Sequence, residues 1–364
     1  MNADLPTPRD RTTLHPSWTR LPEPLRDAID TRLGSPVTDA QPRGDIGGSG
    51  FAYLVATARR GSYFIKATPT HSPAAERYRT EARISAALPR AVPTPRLLWS
   101  DELAGHVVLC FIAVVGRTPP APWQADELRA ALRAQAVIAA TLSDPPTLLR
   151  DLATTPFSET AAERDGNWAA LAADGRPAPG LPAWALEQLP VLAELEAMLP
   201  DLTADPTGII HGDLHPGNLI ILNRYNWTLA TGWGRAQRGP SWIDTVTLLI
   251  DGSTERTAAD RLLAEHPTAG QIPPRGVEAL LAAHAGHLLI HAASAPDRAS
   301  PHPRPHRCRS GLAALDWLHH RLQHRHSSPR TPAARPPRPV APTAAGRDIC
   351  DQHERSSHER AARD

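Results

Sequence analysis

The segment His211–Asn218, HGDLHPGN, constrains this chain more than any other. One apolar run, Gly208-Ile209-Ile210, leads into it and another, Leu219–Leu222, leads out. A polar loop held between two short strands presents its side chains to a cleft. Gly212 and Gly217 permit tight backbone geometry there. Asp213 can accept a proton from a hydroxyl. Asn218, five residues later, offers a neutral oxygen to a hard cation such as Mg²⁺. A base and a metal ligand at this spacing are what phosphoryl transfer uses. Two other readings compete. A turn with a capping Asp explains Asp213 and Gly217 but not the whole pattern. His211, Asp213 and His215 alternate, so on a strand they would share a face and could hold zinc, but Pro216 and Gly217 mark the segment as loop.

The first third of the chain carries a second set of signals. FAYLVAT and SYFIKAT, joined by ARRG, read as a β-hairpin opened by Gly47, Gly48 and Gly50. Small residues there let backbone N–H groups approach an anion. Of 39 basic residues, Lys66 in the second strand is the sole lysine. A compact ammonium at that point suits phosphate oxygens, where a guanidinium would fit differently. The helical segment that follows, ERYRTEARISAAL, supplies Glu81 as a partner for Lys66. Glu76 is the runner-up, on a different helix face.

HGDLHPGN is similar to the catalytic loop of aminoglycoside phosphotransferases, a family that shares the protein-kinase fold. The resemblance spans roughly residues 36–325. It implies an α+β, two-lobed fold, with a small antiparallel-sheet N-lobe and a larger helical C-lobe. It implies ATP and Mg²⁺ as cofactors and a small-molecule acceptor. Asp213 would be catalytic, Gly48, Gly50, Lys66 and Glu81 would bind the nucleotide, and Asn218 would hold the metal. GHVVLCFIAVVGRTPP resembles the hinge that meets adenine, with Ile112 and Ala113 where many relatives carry acids. One position departs from the family. The stretch TLATGWGRAQRGPSWID matches it at Trp233, Gly239, Pro240 and Asp244, yet Gly232 stands where the second metal-binding Asp is expected. No acid lies between Asp213 and Asp244, so no shift of alignment recovers one. Asp244 itself resembles the family's structural residue that braces the loop. An active small-molecule kinase and an impaired, ligand-binding relative both remain open.

The organisation reads as an N-terminal extension with a short helix (1–35), an N-lobe (36–116), a helical C-lobe (117–325) and a disordered Pro/Arg-rich tail (326–364). Net charge is +1, which makes no case for nucleic acid or membrane. Three scattered cysteines and a polar N-terminus without an apolar core point to a reducing, cytoplasmic setting. Arg117–Ser300 holds 21 acids against 13 arginines, which is compatible with a cationic acceptor. Asp251, Glu255, Asp260 and Glu278 are the candidate lining.

Overall fold

The computed structural model describes residues 17–43, 50–120, 123–174, 180–205, 208–222, 227–253, 255–294 and 303–324. The chain begins with α1 (Glu23–Leu33), followed by β1 (Val37–Pro42), β2 (Phe51–Thr57), β3 (Ser62–Pro69), α2 (Ala75–Ala87), β4 (Leu97–Leu103) and β5 (His106–Ile112). The strands form one antiparallel sheet in the order β1-β2-β3-β5-β4. Both faces of this sheet are covered, and strand alternation decides which residue goes where. On one face Phe51, Tyr53, Val55, Ile65, Ala67, Val108 and Cys110 pack with Leu25 and Ile29 of α1. On the other Val107, Leu109 and Phe111 pack with Tyr78 and Ala82 of α2. Because Ile65 and Ala67 point toward α1, the intervening Lys66 must point toward α2.

The rest is mainly helical: α3 (Ala125–Leu142), α4 (Thr147–Leu152), α5 (Phe157–Glu163), α6 (Asn167–Asp174), α7 (Ala183–Glu187) and α8 (Leu189–Leu202). Four short strands follow, β6 (Ile209–Ile210), β7 (Leu219–Leu222), β8 (Trp227–Ala230) and β9 (Gln237–Arg238). The chain closes with α9 (Trp242–Gly252), α10 (Arg256–Glu265), α11 (Gly276–Ser294) and α12 (Pro303–His324). β6 pairs with β9 and β7 with β8. α5 and α6 are separate helices because Gly166, at φ +85°, breaks the helical run between them. The lobe's apolar core takes in Ile84 and Leu88 from the end of α2, so that helix is shared between the two halves.

The link between lobes is short and fastened. A β-carbon on Gly116 would lie 2.6 Å from the Ile221 carbonyl oxygen, so only glycine allows this approach to β7. Arg117 N–H donates to Ile221 O at 3.0 Å, and Ile221 N–H donates to Arg117 O at 2.8 Å. The Arg117 guanidinium also pairs with the buried carboxylate of Glu127 on α3. Among the described residues no helix is long and apolar enough to cross a membrane.

Candidate active site

β6 delivers the loop His211–Asn218 and β8 delivers the segment that meets it. Asp244, on the first turn of α9, holds the loop's start. Its Oδ2 accepts His211 N–H at 2.7 Å and its Oδ1 accepts Gly212 N–H at 3.0 Å. Burial pushes the Asp244 carboxyl up to about 6, against the pull of these two amides. His211 is buried beneath the loop. Its Nε2 donates to Thr231 O at 2.8 Å and its Nδ1 accepts Asp213 N–H at 3.3 Å. Both nitrogens are therefore occupied and neither is available to a metal. Desolvation lowers the imidazole to about 4, so it is neutral near pH 7. Among the described residues no group of three or more His, Cys, Asp or Glu could hold a metal ion. His211 and His215 thus support the loop, His215 Nδ1 accepting Gly217 N–H at 3.1 Å.

Asp213 is half exposed, with its Oδ2 3.6 Å from Arg235 Nε. Asn218 lies beside it. Asn218 Nδ2 donates to Asp213 O at 2.8 Å, and Asn218 O accepts Thr231 N–H at 2.8 Å. Gly212 has φ +74°, and a β-carbon there would stand 2.4 Å from Arg235 O. The loop and the Trp233–Arg235 turn therefore touch backbone to backbone.

Lys66 and Glu81 meet directly, as Nζ to Oε2, with both side chains largely out of water. The Lys66 ammonium also sits over the Tyr78 ring, 4.8 Å from its centroid. Glu76, by contrast, is solvent-facing and pairs with Arg83 at 2.7 Å. Gly234 packs against α2, since a β-carbon on it would lie 2.8 Å from Arg77 O and 3.5 Å from Glu81 Cβ. The Lys66–Glu81 pair and the Gly232–Arg235 segment are thereby in register through α2. Gly50 immediately precedes β2, while Gly47 and Gly48 lie outside the described residues, as do the N-terminal sixteen residues and the tail.

Gly232 has φ +82°, and a β-carbon there would stand 2.8 Å from Asn218 Oδ1. A side chain at 232 would thus project at the oxygen of Asn218. Magnesium usually takes one or two carboxylates along with substrate phosphates. Gly232 supplies no carboxylate to face Asn218 Oδ1, so a second carboxylate ligand is not provided from this position.

Sequence reasoning did not single out Arg235, whose Nε lies 3.6 Å from Asp213 Oδ2, because nothing marks it among so many arginines. Of the acids expected to line the site, two are engaged elsewhere. Asp260 accepts Trp317 Nε1–H at 3.1 Å, and Glu278 accepts Arg321 Nε–H at 3.2 Å, which docks α12.

A five-stranded lobe with a Lys–Glu pair, fastened to a helical lobe that carries an Asp…Asn loop, defines a kinase-like phosphotransferase. The model of the phosphotransferase enzyme family (APH) matches residues 43–272, and the chain belongs to that family. No curated protein matches it. Among solved structures it resembles a spectinomycin phosphotransferase in complex with ADP and spectinomycin (10% identity, 82% of this chain and 98% of that one, TM-score 0.56). It resembles a thermostable mutant of an aminoglycoside phosphotransferase in ternary complex with AMP-PNP and hygromycin B (10%, 82% and 98%, TM-score 0.55). It also resembles a macrolide 2′-phosphotransferase from Brachybacterium faecium (14%, 79% and 97%, TM-score 0.53).

Proposed function

We propose that this protein transfers a phosphoryl group from ATP to a hydroxyl of a small molecule. The observation that carries this is the conjunction of Asp213 beside Asn218 in one lobe with the buried Lys66–Glu81 pair in the other. In this reading Asp213 orients the acceptor hydroxyl and takes its proton. The half-exposed carboxylate can reach an incoming group. Lys66, held by Glu81, neutralises phosphate oxygens. Gly50, with Gly48 before it, lets backbone amides approach them. The small-molecule ligands in the names of the structural relatives support an acceptor of that size, without saying which.

A second reading rests on Gly232. Without the opposing carboxylate the same fold would bind nucleotide and ligand with little turnover. Removing a group that stabilises transition-state charge commonly costs about 10²–10³ in rate. The deciding experiment measures Mg²⁺-dependent ADP release by the purified protein with a panel of aminoglycosides and simpler alcohols. Asp213→Asn serves as the control for chemistry. Turnover that Asp213→Asn abolishes supports the transferase. ATP binding without turnover selects the binding protein, and absence of ATP binding sinks both.

A further inference from the structure

Glu81 is not the only group that holds Lys66. Tyr78 and Glu81 lie three residues apart on α2, so they share a face of that helix, and both are buried. The Tyr78 ring packs with Val107, Leu109 and Phe111 of β5, and Leu109 is the cross-strand partner of Lys66. Residues directly opposite in an antiparallel pair project from the same face of a sheet. Lys66 and Tyr78 therefore meet on the α2 side of the sheet, with the ammonium over the ring at 4.8 Å from its centroid. Burial, and then the Glu81 charge, push the Tyr78 hydroxyl well above its usual value, so the ring is a neutral phenol. Its negative π face, not a phenolate, meets the cation.

Packing alone would make Tyr78 a filler of the space over β5. The contact with Lys66 gives it a second effect. A lysine carries its charge on a long flexible stem, and its ammonium has three N–H donors. Glu81 takes a hydrogen bond from that ammonium. The aromatic face attracts the cation without taking a strong hydrogen bond of its own, so donors stay available to phosphate oxygens. A second carboxylate in that place would compete with phosphate for them. Ordering the stem before the nucleotide arrives also spares the cost of ordering it on binding. Building on the phosphotransferase reading, we infer that Tyr78 is a positioning residue for the nucleotide: its ring face, together with Glu81, holds the Lys66 ammonium where the phosphates of ATP meet it.

Lys66 is the sole lysine, so isotope-labelled lysine incorporated into the full chain gives a single side-chain spin system by NMR. Its Hε resonance lies upfield of the position in free lysine, because an aromatic face lies beneath it. That measurement is made on the unmodified protein and needs no variant to fold. Tyr78→Leu removes the upfield shift, and Tyr78→Phe, which keeps the ring, retains it. Calorimetry with ATP and with adenosine, which lacks phosphates, reads the consequence. Tyr78→Leu binds ATP about fivefold more weakly and adenosine unchanged, while Tyr78→Phe keeps most of the ATP affinity. Unchanged adenosine binding also reports that the variant is folded. Equal weakening of both ligands in Tyr78→Leu overturns the inference, since Tyr78 would then only support the lobe. So does full ATP affinity in that variant, or a Lys66 Hε resonance without an upfield shift in the unmodified protein. Absence of ATP binding by the unmodified protein removes the phosphotransferase reading, and this inference with it.

Discussion

Asp244 Oδ2 accepts the backbone N–H of His211 at 2.7 Å, so a buried carboxylate on α9 sets where the His211–Asn218 loop begins. The same carboxylate also takes Gly212 N–H. Asp244→Ala therefore leaves two amides without partners in a dry site. Each costs about 1–3 kcal/mol, so unfolding in denaturant shows a loss on the order of 3 kcal/mol. Activity falls with it, because Asp213 sits one residue beyond Gly212.

The two buried titrating groups at this point act in opposite senses on stability. Asp244 is raised from 3.8 to about 6, so its contribution is fully present below pH 3.8 and is lost as pH rises to about 6. His211 is lowered from 6.5 to about 4, so its contribution is present above pH 6.5 and is lost as pH falls to about 4. Between about pH 4 and 6.5 the two slopes oppose each other. Replacing the imidazole by a non-titrating amide, His211→Gln, unmasks Asp244. Its stability, followed by denaturant midpoints, declines with rising pH more steeply across that window than the unmodified protein's.

Gly232→Asp places a carboxylate toward Asn218. The backbone there is left-handed, which Asp tolerates better than most residues, and the nearest obstacle is the movable Asn218 amide. A stability loss of about 1 kcal/mol is expected from the strained φ. If the remaining machinery is intact, Mg²⁺-dependent ADP release rises by about 10² or more. No rise in a variant that still binds ATP shows that the missing carboxylate is not what limits this protein.

Lys66→Met and Glu81→Gln act on one pair. Lys66→Met strips the charge proposed to meet phosphate and leaves the buried Glu81 unpaired, so ATP binds at least about tenfold more weakly, a change of about 1.4 kcal/mol. Glu81→Gln gives a smaller loss. Glu76→Gln, on the solvent side, leaves ATP affinity unchanged, and a titration with a fluorescent ATP analogue separates the three.

Gly212→Ala tests the backbone contact between loop and turn. Its β-carbon would meet a carbonyl that cannot swing aside, at a φ that alanine resists. Destabilisation of at least about 2 kcal/mol is expected in thermal or chemical unfolding.

Much of the candidate site was legible in the chain itself, because the residues proposed to act lie close in sequence or carry rare identities. His211–Asn218 is one continuous loop. Lys66 stands out as the lone lysine, and strand alternation about Ile65 and Ala67 already turns it away from one face of the sheet. The hairpin Phe51–Pro69 and the helix bearing Glu81 follow from local pattern alone. Long-range approach was not legible. β9 is too short to signal itself and exists only because Gln237 and Arg238 meet Ile210 and Ile209 of β6 across the loop. Nothing local marks Arg235 as a neighbour of Asp213, or reassigns Asp260 and Glu278 to Arg321. The choice of Glu81 over Glu76 depends on how α2 rotates as it packs on Leu109 and Phe111. Residue type and spacing determined which chemistry the loop can offer. The tertiary structure decided which charges surround it, because electrostatic neighbours are set by packing between distant segments.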